Sequence, residues 1–317
     1  MRSLPIPLHT RLVTLTLGAR GDAEYAVAGR VLDLRKRGRV PLAGVLNGPG
    51  VVHDMELRLT VGRDDLRVRS AVLGMHAVPF PAGPGTGGES CRDNEAGADR
   101  LVGVALDGGA APLYRAIGGP RGCFHVFTLL RVLAPSVVWA IRRGLARDVG
   151  RSFVRTIVVD GFGVEPHLRM RGTLADLHYA PGTTERLADA FDGEVEVEVT
   201  LPELTVGGVE ARHRRGDDAW SHDGLAALPA LLGASMARGY SMKIDELIPP
   251  ALAPMRELLL MVQPTVFQCM PSLDEEIGAQ RRGRREGPAS AADSCSMWRQ
   301  DGPLLAAVAR GTSVGAH

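Results

Sequence analysis

The sequence predicts an α+β fold made of two pseudo-symmetric repeats, each an antiparallel sheet packed on a helix. Three observations indicate this architecture. Apolar and polar residues alternate with period two in several segments of residues 8–78. Helical patterns follow over residues 111–147. The same order of strand-like and helix-like segments then begins again near Arg151, which is typical of an internal duplication.

The first repeat begins with strands. Residues 12–17, 56–61 and 66–72 alternate between apolar and polar side chains. Alternation of this kind places one face of a strand on a core and the other in water, as antiparallel sheets do. Residues 62–65, Gly-Arg-Asp-Asp, are a plausible hairpin turn between the last two of these strands.

Proline and glycine dominate residues 79–99, and the segment predicts an irregular loop. It is either a lid or binding loop, or a surface excursion without function. Beyond it we expect a short helix around residues 112–117 and a longer one from near Arg121 toward Arg147. Pro135 is expected to kink or split the longer helix, because proline lacks the amide hydrogen that a helix interior uses.

The second repeat shows strand patterns at residues 156–159, 167–174 and 194–201, followed by a helical region at 225–267. The helical region is interrupted at Gly239, Pro249 and Pro254. We therefore divide the chain into a first repeat at 1–147, a second at 148–274, and a polar linker with a C-terminal segment at 275–317. The basic run at 281–285 lacks interleaved aromatic residues, which favours a solvated linker over a nucleic-acid contact.

Composition is ordinary for a globular protein: 317 residues, 45% hydrophobic and 23% charged. A net charge of +1 gives no electrostatic reason to expect nucleic acid or a membrane as partner. The most apolar stretch, residues 126–141, is shorter than the roughly 20 residues of a membrane span. Without a signal-peptide pattern at the start, we expect a cytoplasmic protein whose four cysteines are reduced.

Aligning the two copies predicts that reactive side chains are concentrated in the first. The alignment sets His53 and Asp54 against Gly193 and Glu194, and Cys123 and His125 against Tyr240 and Met242. It also sets Arg121 against Arg238. If the copies pack face to face, one half contributes cysteine and histidine and the other tyrosine and lysine. Cys123, His125 and Tyr240 are then expected to approach one cavity.

Cys123 lies where a helix is predicted to begin. The positive end of the helix dipole and the neighbouring Arg121 both favour a lowered thiol pKa, and His125 is the nearest base. The two side chains can share a site only if Cys123 precedes the helix, since residues two apart on a helix diverge. The alternative is a buried structural cysteine and a histidine bonded to backbone.

His53 and Asp54 precede an alternating strand, on which neighbours face opposite ways. One of them enters a cleft, or both belong to a strand-entry turn. If His53 and His125 converge, the pair could shuttle protons or bind a metal. A zinc-type set of Cys91, Cys123, His125 and Cys295 is a weak candidate, because no C-x-x-C spacing supports it. No metal or cofactor is therefore predicted.

Several short motifs together resemble a bacterial family known as domain of unknown function 2889. The resemblance covers residues 8–143 and 293–303, with a diverged second copy between them. It rests on five segments: His9-Thr10-Arg11, Gly29-Arg30-Val31-Leu32-Asp33, Val52-His53-Asp54-Met55, Leu101-Val102-Gly103 and Gly122-Cys123-Phe124-His125.

The chain departs from the family pattern at three positions. Phe124 stands in place of a threonine, Val126 in place of a leucine, and Ser296 in place of a histidine in the closing step. The resemblance implies no established reaction. It implies a role in the bacterial breakdown of aromatic or other small organic acids. By analogy alone, the duplication is similar to double hot-dog and acetoacetate-decarboxylase-like designs.

These observations favour a cofactor-independent enzyme acting on a small organic substrate, with a lyase using acid/base chemistry as the predicted class. His53 or His125 is the expected base, Asp54 orients it, and Cys123 and Tyr240 complete the catalytic set. Arg121, Phe124 and Lys243 are expected to bind the substrate, and a Schiff-base variant would use Lys243. The alternative is a non-enzymatic small-molecule binding or assembly protein, and a homodimer is left open.

Overall fold

The computed structural model describes residues 4–43, 45–146, 152–179, 187–215, 222–273 and 295–310. Within these ranges the chain forms ten β-strands and six α-helices. The strands are β1 Ile6–Arg20, β2 Glu24–Arg35, β3 Val40–Leu42, β4 Val45–Asn47, β5 Gly50–Gly62, β6 Val68–Ala77, β7 Ser152–Val164, β8 His167–Tyr179, β9 Leu187–Thr200 and β10 Thr205–Arg215. The α-helices are α1 Ala110–Ala116, α2 Phe124–Arg142, α3 His222–Ala227, α4 Tyr240–Leu247, α5 Ala253–Cys269 and α6 Pro303–Ala309.

Eight strands form one antiparallel sheet in the order β10-β9-β8-β7-β1-β2-β5-β6. β3 and β4 pair separately as a small hairpin. The mixed α+β class predicted from the sequence is confirmed. The segments 1–147 and 148–274 each contribute four strands, and the β1–β7 pair joins them at the centre.

Alternation along the strands creates one buried and one open face. In β1 the side chains of Val13, Leu15 and Leu17 are buried, whereas Thr14 and Thr16 between them are more exposed. The buried face carries the core, and α2 and α5 pack on it. The predicted turn after β5 is confirmed at residues 63–65.

Two glycines allow the helices to approach the sheet closely. A Cβ atom at Gly29 would lie 2.6 Å from Cδ1 of Leu133 in α2. A Cβ atom at Gly172 would lie 2.8 Å from Cδ1 of Leu258 in α5. Both separations are too short for nonbonded carbon atoms, so a larger residue at either glycine would force the facing leucine side chain to move.

Pro135 was expected to kink or split the long helix. It does not split it, because α2 continues through the proline from Phe124 to Arg142. The side chains on both sides of the proline are buried. Their packing on the sheet outweighs the roughly 3 kcal/mol that an internal proline costs. By length and composition α2 could also span a membrane, but 61% of that apolar window is buried inside the protein.

Residues 79–99 are more ordered than the sequence predicts. They contain 3-10 helical turns at Pro84–Thr86 and from Cys91 onward to Leu101. Ser90 caps the second of these, and Glu95 accepts a hydrogen bond of 2.6 Å from the amide of Met75. The structureless loop is therefore corrected to a segment fixed against β6. The predicted linker falls largely on residues 274–294, which lie outside the described residues.

Candidate functional site

The register of β1, β2 and β5 brings polar side chains together on the buried face. Arg11 of β1 lies directly opposite Asp33 of β2, and Asp33 lies opposite His53 of β5. His9 has the same strand parity as Arg11, so it faces the same side. All four side chains are almost completely buried. With His125, they form what we call the histidine cluster.

Asp33 is the centre of the histidine cluster. Arg11 donates two parallel hydrogen bonds of 2.8 Å, from Nε to Oδ1 and from Nη2 to Oδ2. Nε2 of His9 lies 3.1 Å from Oδ1, and Nδ1 of His53 lies 3.2 Å from Oδ2. Each carboxylate oxygen therefore has two polar neighbours, and the carboxylate fixes the orientation of both imidazole rings.

His125 reaches the cluster from the first turn of α2. Its ring stacks on that of His53 with 3.7 Å between centroids and 31° between planes. The amide nitrogen of Gln268, at the end of α5, lies 3.4 Å from its Nε2. His125 is partly exposed, unlike His9 and His53. It is therefore the member of the cluster nearest to solvent.

Within the histidine cluster, the pKa shifts favour a charged carboxylate and neutral imidazoles. Burial alone would raise the pKa of the Asp33 carboxyl, but Arg11 and the two histidines hold it well below its usual range. Burial, with the nearby His53 and Arg11, holds the pKa of His125 well below 6.5. Burial likewise lowers the pKa of His9. At pH 7 Asp33 is charged, and His9 and His125 are neutral.

Arg35 is a second buried guanidinium beside the cluster. It lies opposite His9 in the β1–β2 register, and Nη1 donates a hydrogen bond of 2.7 Å to the carbonyl of Asn47. Burial lowers its pKa, and Asp33 is the charged group that acts against this. Four buried nitrogens here have no hydrogen-bond partner among the described residues: Nη1 of Arg11, Nε of Arg35, Nδ1 of His9 and Nδ1 of His53. The last of these nevertheless lies 3.2 Å from Oδ2 of Asp33.

Three residues of the cluster also have the chemistry of a metal site. Asp33, His53 and His125 each offer one ligand atom, and these atoms lie within 4.8 Å of one another. A carboxylate and two imidazoles suit zinc or a similar divalent cation. However, both oxygens of Asp33 already accept hydrogen bonds from Arg11. A divalent cation would add positive charge beside that guanidinium, so the fit to a metal is poor.

A second buried charged group lies under the other half of the sheet, and we call it the Arg155 cluster. Arg155 of β7 donates to Asp176 of β8 through Nε at 2.7 Å and Nη2 at 2.6 Å. Its Nη1 donates to Glu257 of α5 and to Ser136 of α2. Burial raises the pKa of Glu257 to about 7. The sequence predicted that reactive side chains are concentrated in the first copy. Instead, both halves of the chain contain buried ionisable groups.

The predicted partner of His53 is corrected. Asp54 lies on the opposite face of β5 from His53 and binds Arg30 through two hydrogen bonds of 2.7 Å. Asp33 occupies the place expected for Asp54. The predicted alignment of the copies is also shifted, because the residue opposite Asp176 is Phe191 rather than Gly193.

Tyr240 and His125 do not meet. The hydroxyl of Tyr240 donates to the carbonyl of Leu259 at 3.3 Å, whereas His125 contacts Gln268. Leu259 and Gln268 are nine residues apart on α5, which is about 14 Å along a helix. Lys243 is partly exposed, with Nζ 3.5 Å from Oε2 of Glu246. The single cavity expected for Cys123, His125 and Tyr240 is therefore not formed.

Cys123 precedes α2, as the sequence predicts, but its thiol is not activated. Burial raises its pKa to about 12, which outweighs the backbone amides of Val126 and His125 that act to lower it. The thiol lines a small cavity whose other walls are mostly apolar, and neither His125 nor Tyr240 borders it. Burial also raises the pKa of Cys91 and Cys295.

The predicted zinc set is divided between two places. The thiols of Cys91, Cys123 and Cys295 lie close enough to influence one another, whereas His125 belongs to the histidine cluster. Among the described residues the cysteines do not converge as tightly as Asp33, His53 and His125. Arg121 is exposed, and Phe124 is 40% exposed with its ring edge-on to His125 at 6.4 Å.

Sequence reasoning missed Arg11, Asp33 and Arg35 as site residues. A signal was present, because they share strand parity with buried apolar neighbours such as Val13 and Val31. A charged residue at an inward position must be paired, and so marks a polar cluster.

Residues 9–138 match the family model described as Protein of unknown function (DUF2889), which confirms the resemblance over these residues. The match covers less than half of the chain and includes every member of the histidine cluster. No curated protein and no solved structure matches the chain.

Proposed function

We propose that the protein is an enzyme that moves a proton on a small organic substrate, and that the histidine cluster is its active centre. The observation that carries the proposal is the stacked pair of His53 and His125, anchored to Asp33. Four of the five family motif segments contribute to this one cluster. We propose a lyase that needs no bound cofactor as the reaction class.

In this proposal His125 is the base. It is the partly exposed member of the pair, and its lowered pKa keeps the imidazole neutral and able to accept a proton at pH 7. His53 lies beneath it and is oriented by Asp33. Nε and Nη2 of Arg11 fix Asp33, so through these two atoms Arg11 positions the carboxylate that orients His53.

The proposed step is an elimination. His125 takes a proton from a carbon next to an activating carbonyl group, and the electron pair forms a double bond as the bond to the leaving oxygen breaks. The leaving oxygen then receives the proton from His125. The substrate loses one neutral molecule, and the protein returns to its starting protonation state.

We also propose that the chain is an internal duplication about a pseudo-twofold axis between β1 and β7. Val13 and Ile157 are paired in the register, and Arg11 and Arg155 each precede one of them by two residues. Other features recur in both halves: Leu66 and Leu204 with positive φ, and Gly109 and Gly239 with positive φ before α1 and α4. This pattern supports a hot-dog-like analogy for the scaffold.

Solvent deuterium exchange tests the enzymatic proposal without knowledge of the substrate. In D₂O, an enzyme that abstracts carbon-bound protons is expected to incorporate deuterium into some members of a panel of small carbonyl compounds and organic acids, followed by proton NMR. His53→Gln and His125→Gln should each slow the exchange by about 10²–10⁴-fold. The matched control is His76→Gln, which alters an exposed histidine of β6.

The second candidate function is a non-enzymatic small-molecule binding or assembly protein. The burial of His9, His53 and the Cys123 thiol favours it, because buried polar groups often serve the fold alone. Equal behaviour of wild type and the His53→Gln/His125→Gln double variant, both folded, would support this candidate and reject the enzymatic one.

A further inference from the structure

The two buried clusters have opposite imbalances of charge. In the Arg155 cluster one guanidinium faces two carboxyl groups, Asp176 and Glu257. Beside the histidine cluster, two guanidiniums share one carboxylate, because both Arg11 and Arg35 act with Asp33. Three of these side chains, Arg11, Arg35 and Asp33, are at most 4% exposed. The difference matters because an unpaired buried charge is costly.

The first imbalance can be relieved within the protein. Glu257 can take up a proton, and the raised pKa of its carboxyl shows that burial favours this form. The excess around Asp33 cannot be relieved in the same way. An arginine side chain stays protonated, and neutral histidines contribute no negative charge. The described residues therefore leave one positive charge uncompensated at this end of the core.

Two buried N–H donors near Asp33 also lack a hydrogen-bond acceptor. Nη1 of Arg11 and Nε of Arg35 are buried donors without a partner among the described residues. Unpaired donors beside an excess positive charge call for an acceptor with one negative charge. A monocarboxylate meets both needs, since its two oxygens accept several N–H donors and its charge is −1.

We propose that the unpartnered N–H groups of Arg11 and Arg35, the two buried guanidiniums near Asp33, bind the carboxylate group of a small organic acid. The inference rests on the proposed function and deepens it, since it names the chemical class of the substrate. The bound carboxylate brings the rest of the molecule toward the partly exposed His125. Its negative charge also favours the protonated imidazole, so the base becomes stronger when the substrate is present.

Binding of simple acids to the full chain tests the inference. Acetate and benzoate are the probes, and acetamide and benzamide are their uncharged counterparts. Isothermal titration should detect the acids and not the amides. Arg35→Gln should weaken binding of the acids by about tenfold or more, as expected for a lost hydrogen bond to a charged group. Arg30→Gln, an exposed arginine on the open face, is the matched control and should bind as wild type does.

A second readout separates a binding role from a structural one. NMR titration of His125 should show its pKa rising when benzoate is present, because a negative charge nearby stabilises the imidazolium. If Arg35→Gln fails to fold, Arg35→Lys keeps the charge and should retain weaker binding. Equal binding of acid and amide by the wild type overturns the inference whichever variant folds.

The remaining outcomes distinguish this inference from the proposed function. Arg35-dependent carboxylate binding without deuterium exchange in any compound would leave the binding site standing and reject the enzyme. Exchange that is as fast in neutral ketones as in acids, and unchanged by Arg35→Gln, would reject the inference and leave the enzyme standing. Stoichiometric zinc that blocks acid binding and is lost in His53→Gln would overturn the inference in favour of a metal site.

Discussion

The guanidinium of Arg11 and the carboxylate of Asp33 face each other across neighbouring strands and share two hydrogen bonds of 2.8 Å. Arg155 and Asp176 repeat this arrangement across β7 and β8. The second pair is completed by Glu257 and the first by histidines. Both clusters are therefore built on an arginine–aspartate pair with two hydrogen bonds. The Arg155 cluster adds a carboxylic acid to this pair, and the histidine cluster adds imidazoles.

Asp33→Asn should destabilise the protein strongly. The change leaves Arg11 buried without its counter-ion, and breaking a buried ion pair in this way costs about 3–5 kcal/mol. Asp54→Asn is the matched control. Asp54 pairs with a half-exposed Arg30, so the loss should be at most about 1 kcal/mol. Urea unfolding measures both, and similar losses from the two variants would contradict the central role of Asp33.

His125 should make the wild type less stable in acid. Its pKa in the folded protein lies below 6.5, so between that value and pH 6.5 the unfolded chain binds more protons than the folded one. The free energy of unfolding therefore falls, through this group, as the pH drops below about 6.5. His125→Gln removes the contribution. The stability difference between wild type and variant should shrink from pH 7.5 to 5, and a constant difference would refute a depressed pKa.

Strand parity made much of the sheet predictable. Alternation located β1, β5, β8 and β9, because each has one face on the core. The same rule could have placed Asp33 and Arg35 on the buried face of β2. Instead the nearest acidic neighbour in sequence, Asp54, was expected to orient His53, although adjacent residues of a strand face opposite sides.

Long-range register and burial were not predictable from local pattern. The alignment of the two copies was shifted by two residues at His53, since the pairing of β8 with β9 is set by the whole sheet. The thiol of Cys123 was expected to have a lowered pKa from the start of α2. That prediction considered charge and not desolvation, and in a buried site desolvation is the larger effect.

Gly29→Ala and Gly172→Ala should each cost about 1–3 kcal/mol by overpacking the contact between sheet and helix. The new methyl groups would lie 2.6 Å from Leu133 and 2.8 Å from Leu258, both of which are fully buried. Gly74→Ala is the control, because the nearest atom belongs to the exposed side chain of His76 at 3.4 Å. Thermal unfolding that ranks Gly74→Ala with the other two would contradict this packing.

Cys123 should be inert in the folded protein. With a thiol pKa of about 12 and almost no exposure, very little reactive thiolate is present at pH 7.5. Labelling with a chromogenic disulfide should be slower at Cys123 than at Cys295, which is partly exposed. Variants that retain one cysteine each separate the rates, and unfolding in urea should equalise them. Rapid labelling of Cys123 in the folded state would restore it as a candidate nucleophile.

Glu257 should give the wild type a stability that is lost as the pH rises. Its pKa is about 7 in the folded protein against 4.5 for an ordinary glutamate, so between these values the folded state holds the extra proton. Relative to Glu257→Gln, the wild type should lose stability from pH 5 to 7, with a slope approaching about 1.4 kcal/mol per pH unit, and level off above pH 7.5. Glutamine keeps the size of the side chain and cannot titrate, so the comparison isolates this proton from the opposite effect of His125. Parallel stability curves over this range would mean that Glu257 stays ionised beside Arg155, and that the negative excess of the Arg155 cluster is tolerated without a proton.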